Sequence, residues 1–135
     1  MVIFEADEPS PTTVGQVRRA FRRWAEEHDL DGVALANAVL LVSELATNAV
    51  RHARTAYTVA VEATGDSVRI EVFDRDTRMP VLQGTDGGAI GGRGMHIVAT
   101  VADEWGSSTE TRDGIDGKVV WVVVPRRGPE AGEDG

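Results

Sequence analysis

The apolar positions change rhythm several times along the chain, and each change marks an element. Residues 2 to 6, "VIFEA", predict a short first strand. Ser10 followed by Pro11 is a favourable helix start, with a side-chain oxygen at the cap and proline in the first turn. Val14, Val17, Phe21 and Trp24 then recur at helical spacing and predict a helix to about His28. The break "DLDGVA" follows, and a second helix is expected to run to about Ala53.

From Tyr57 the period falls to two. Residues 57 to 63 alternate, "TGDS" turns at 64 to 67, and "VRIEVFD" returns, which predicts a hairpin. A loop rich in Gly and Asp spans Arg75 to Gly92, and Met95 to Ala102 fits a third helix. Residues 104 to 112 and 118 to 124 predict a second strand pair around "DGIDG". Helices first, then hairpins with one helix inserted, imply an α+β fold. The expected form is a two-layer α/β sandwich, with a mixed, mostly antiparallel sheet covered on one face by helices. Residues 1–127 form the one domain, and the apolar-poor tail 128–135 is expected to be disordered.

The second helix carries polar residues its apolar character does not explain. "LLVSELATNAVRHA", residues 40 to 53, places Glu44, Asn48 and His52 four residues apart. At about 100° per residue, Asn37, Glu44 and Asn48 form a narrow stripe with His52 at its margin. Val42, Leu45, Ala46, Ala49 and Ala53 lie opposite. Such a stripe is either a solvent-facing side or a site, and the helix alone does not decide. In "VRIEVFD" the core-facing set Val68, Ile70 and Val72 continues to Asp74, which aims a carboxylate inward at a strand end. A buried carboxylate needs a donor: either the next turn or a ligand amine. Glycines before the third helix, in "GGAIGGRGMHIVATV", free backbone N–H groups to approach an anion. No lysine followed by Ser or Thr completes a P-loop there.

Composition narrows the choices. With no cysteine among 135 residues, disulfides, thiolate metal sites and cysteine catalysis are excluded. A net charge of -8 argues against direct nucleic-acid binding. Arg18, Arg19, Arg22 and Arg23 nevertheless share one face of the first helix, as a solvated face or a docking patch for an acidic partner. No signal peptide and no uninterrupted membrane-crossing stretch is read, so no membrane association and a cytoplasmic location are expected.

Taken in order, these segments resemble the GHKL (histidine kinase-like) ATPase superfamily. Within it the chain is similar to the small stand-alone anti-sigma-factor serine kinases and their actinobacterial relatives. "ELATNAVRHA" matches the N-box, "VFDRDTRMP" a degenerate first glycine box and "GGRGMHIV" the second, with "DEWG" and "GKVVWVVV" matching the closing strands. The resemblance implies an ATP-binding regulatory protein with ATP and Mg²⁺ as cofactors. Asn48 would coordinate Mg²⁺ on the phosphates, and Glu44 would be the general base. Asp74 would accept from the adenine amine, while Gly92, Arg93, Gly94 and Met95 would close on the nucleotide, with His52 at its rim. It implies a serine/threonine kinase that phosphorylates an anti-sigma antagonist and sequesters a sigma factor, and a homodimer through the first strand and helix. The alternative is a non-catalytic, nucleotide-gated binding module. Two departures bear on the base pocket: Asp76 replaces a usual glycine, and Val119 a threonine that supports the adenine-contacting Asp in many members.

Overall fold

The computed structural model describes residues 1–78 and 101–126. Strand β1 (Val2–Ala6) leads into helix α1 (Pro11–Glu27) and helix α2 (Gly32–Asn48). Strands β2 (Tyr57–Thr64), β3 (Ser67–Asp74), β4 (Glu104–Arg112) and β5 (Ile115–Pro125) complete the described elements. They form one five-stranded sheet in the order β1-β2-β3-β5-β4. Every described ladder is antiparallel, so the mixed pairing expected from the sequence is not found among these residues. The expected third helix and glycine-rich loop fall almost wholly within 79–100, outside the described residues, as does the tail.

The helices form because their apolar positions share a side. Val14, Val17, Phe21 and Trp24 are buried on α1, and Ala34, Ala38, Leu41, Val42 and Leu45 on α2. They meet Val59, Val61, Val68, Ile70, Val72, Val120, Val122 and Val124 from one face of the sheet. Each such aliphatic side chain contributes on the order of 1.5–3 kcal/mol when fully buried. After α1 the chain turns at Asp29, whose positive φ of 59° breaks the right-handed helix, and α2 opens on Gly32, also at positive φ (61°).

At the start of α1, Ser10 is extended, as a cap residue should be. The Thr13 hydroxyl donates to the Ser10 carbonyl at 2.7 Å. It also lies 2.7 Å from the Tyr57 hydroxyl. Since its one proton goes to Ser10, the Tyr57 O–H is the donor of that buried bond, which fastens α1 to β2. At the other end, Arg126 donates to the His28 carbonyl at 2.8 and 3.1 Å and ties β5 to the exit of α1.

The other sheet face carries charge. Glu71 accepts from Arg69 at 2.7 Å and from Arg112 at 3.0 Å, and the Arg112 guanidinium lies over the Phe73 ring. A one-sided antiparallel sheet is the two-layer arrangement that the element order implied.

By length and composition the continuous helical run Gly32–Ala53 could cross a bilayer, contrary to the sequence reading. In the fold it is the central core helix, apolar because one side lies against the sheet, and it carries Asn37, Glu44 and Asn48 on the other.

Candidate functional site

The polar stripe of α2 is where the periodicity put it. Asn37, Glu44 and Asn48 are half-buried, while Val42, Leu45, Ala46 and Ala49 opposite are at most 2% exposed. Packing therefore fixes the backbone beneath Glu44 and Asn48, and their side chains stay accessible. Ser43 beside them turns back to the Val39 carbonyl at 2.7 Å and receives Arg18 at 3.4 Å.

Immediately after Asn48 the helix widens. Residues Ala49–Ala53 form a π turn, closed by the Arg54 N–H donating to the Ala49 carbonyl at 2.8 Å, with Arg54 left-handed at φ 58°. Such turns are rare and often lie at functional sites. His52 stands exposed on this turn. Desolvation, then the charges of Arg51, Lys118, Arg54 and Arg78, holds its imidazole below the ordinary value of 6.5.

Asp74 lies where β3 ends, 3% exposed, on the core face as expected. Its donor is a side chain of this protein. The Lys118 ammonium reaches Oδ1 at 2.9 Å and Oδ2 at 3.0 Å, and the Asp76 N–H donates to Oδ1 at 2.9 Å. The third ammonium proton points to the Asp76 carbonyl at 3.3 Å. Burial pushes the Asp74 carboxyl up, against the downward pull of Lys118 and the Asp76 amide. The ladder explains the pairing: Lys118 stands directly opposite Asp74, whereas Val119 stands opposite Phe73 on the other face. The residue across from Asp74 is thus Lys118, one position before the one singled out from the sequence.

Gly117 allows this close approach. A Cβ there would collide with the Asp74 carbonyl oxygen and fall 2.8 Å from the Phe73 ring.

Asp76 has a partner too. Arg78 donates from Nε to both carboxylate oxygens at 3.0 Å and from Nη2 at 2.6 Å. That hydrogen bonding holds the Asp76 carboxyl at about 2. The same guanidinium donates to the His52 carbonyl at 3.3 Å, where a cation suits the dipole of a helix C-terminus. The chain leaving β3 is thereby moored to the end of the α2 run. Glu44, Asn48 and His52 lie along one side of that run, and Asp74 sits at the strand end beside it. Gly92, Arg93, Gly94 and Met95 lie outside the described residues.

A family model described as the histidine kinase-like ATPase domain matches residues 8–124. The chain belongs to this family. Among curated proteins none matches it in sequence. A structure of the SiaB–SiaC complex from Pseudomonas aeruginosa contains a chain of the same fold, with TM-score 0.65 and 12% identity over 91% of this chain and 89% of that one. The histidine kinase domain of a blue-light-activated kinase from Erythrobacter litoralis matches at TM-score 0.42 and 22% identity, over 89% of this chain and 67% of that one.

Family membership implies an ATP site, and the described residues meet it unevenly. Glu44 and Asn48 are of the right chemistry for the phosphate end and are accessible. At the base end the carboxylate is buried and already engaged by Lys118, so as it stands this corner does not fit an adenine amine. Among the described residues no three carboxylate, imidazole or thiol groups gather into a metal cluster.

Proposed function

We propose that this domain is an ATP-binding regulator of partner proteins: a serine/threonine kinase of the anti-sigma-factor type that phosphorylates an antagonist protein and sequesters a sigma factor. The observation that carries this reading is the side of α2 on which Glu44 and Asn48 stand. Two polar groups one turn apart are held by a rigid, fully buried opposite side, and both remain open to a ligand. Bound Mg·ATP would supply the phosphoryl group, with the Asn48 amide oxygen as the protein's ligand to the cation. Glu44 would take the proton from the attacking serine or threonine hydroxyl, the role of a general base in phosphoryl transfer. The rest of the task is positioning, which a helix packed into a core provides. A neighbour of the same fold was solved in complex with a second protein, in keeping with a domain that works against a partner.

The filled Asp74 corner favours a second reading, a binding module that uses nucleotide weakly or only as a gate. One experiment separates the two. ATP binding is measured by calorimetry with and without Mg²⁺, and phosphate transfer to a cognate antagonist is followed with labelled ATP. Mg²⁺-dependent binding with transfer supports the kinase. Binding without transfer leaves the gated module, and no binding at millimolar ATP removes nucleotide from the function.

A further inference from the structure

Lys118 has no place in the chemistry described so far, yet its side chain is only 5% exposed. A lysine is almost never buried this deeply unless it is paired. Its three N–H groups are all used, two on Asp74 and one on the Asp76 carbonyl. Asp74 in turn accepts three bonds, from a group with about four lone-pair sites. The pair lies on adjacent strands in direct register, and Gly117 brings the two backbones close.

We infer that Lys118 is an internal occupant of the Asp74 acceptor, and that it makes the site weak and unselective for the adenine base. This rests on the nucleotide-binding reading and specifies it. For an exocyclic amine to reach Asp74, the ammonium must leave its counter-ion, so an ion pair is exchanged for a bond from an uncharged donor and a buried ammonium loses its partner. Nucleotide affinity then comes mainly from the phosphate end, where the base is not read. A short hydroxyl side chain at position 118 empties the acceptor and lets the amine in.

The test compares ATP with ITP, which differ at the base in having an amino or an oxo group at position 6. Affinities are measured by calorimetry for the wild type and Lys118→Thr. The wild type should bind the two within about threefold. Lys118→Thr should bind ATP tenfold or more tightly than the wild type does, and should prefer it to ITP by at least tenfold. A tenfold preference for ATP in the wild type overturns the inference, as does an unchanged ratio in a folded Lys118→Thr. If that variant does not fold, the wild-type ratio decides alone. If the wild type binds neither nucleotide at millimolar concentration, the nucleotide-binding reading fails with it. Equal and unchanged selectivity removes only the role of Lys118.

Discussion

A methyl group at Gly117 would have to displace the backbone of Asp74, because the carbonyl oxygen it meets belongs to the central ladder. Gly117→Ala is therefore expected to lower stability by about 1–3 kcal/mol, the usual scale of overpacking. In urea denaturation the midpoint should fall, and the amide resonances of residues 74 to 76 should shift most. His52 offers a pH readout. Its folded pKa lies below 6.5, so between that lowered value and 6.5 the unfolded chain binds more proton than the folded one. Stability should fall as pH drops through this window and be unaffected by His52 above it. An NMR titration of the imidazole should give a midpoint below 6.5, moving upward in Arg78→Ala as one nearby cation is removed. Asp76 works in the acid direction. Held at about 2, its contribution is complete above the ordinary carboxylate range and lost as pH falls toward that value. At this scale Asp74 was legible, because alternation through Val68, Ile70 and Val72 leads to it. The same count backward from Val124 through Val122 and Val120 leads to Lys118. Two opposite charges on the core face of neighbouring strands were readable as a pair, once the strands were known to be neighbours.

Helix α2 and its π turn form the element on which the site is built. Glu44 and Asn48 share its accessible side but are given different tasks, so their variants should separate. Glu44→Ala is expected to keep ATP affinity within a few-fold and to lower phosphate transfer by roughly 10²–10⁴. Asn48→Ala should weaken Mg·ATP binding itself. Both should stay folded, since neither side chain lies in the core and alanine favours helix. Paired calorimetry and transfer assays check this, and equal transfer by Glu44→Ala and wild type removes Glu44 as the base. The helices and both hairpins were legible because a change of period from 3.6 to 2 depends only on which side is buried. The widened turn after Asn48 was not legible. It depends on one hydrogen bond, Arg54 to Ala49, and on a left-handed Arg54, which leave no hydrophobic pattern. The Arg78 mooring was equally hidden, as it joins a side chain to a carbonyl 26 residues earlier.

Among the described residues, two local hairpins lie side by side, each closed by a short turn, with β1 added at one edge and helices on one face. β2 and β3 pair across Gly65 and Asp66, and β4 and β5 across Asp113 and Gly114. The ladder that joins the hairpins, β3 with β5, must instead close a loop of 44 residues at the Asp74–Lys118 pair. Loop closure of this kind is entropically costly before its contacts form, whereas the hairpins and the α1–α2 pair can form early. The order of the strands thus implies an order of events during folding, with the long-range β1–β2 and β3–β5 ladders sealed after the local hairpins. Removing the ion pair should then act on one limb of the kinetics. Lys118→Met keeps the aliphatic stem but strands a buried carboxylate, a loss of about 3–5 kcal/mol. Stopped-flow measurements should place most of that loss in faster unfolding, with the refolding rate nearly unchanged. A comparable slowing of refolding would mean that the β3–β5 ladder belongs to the folding nucleus. On the expected result, the bond between hairpins acts as a latch on an assembled protein, governing how long the native state persists more than how quickly it is reached.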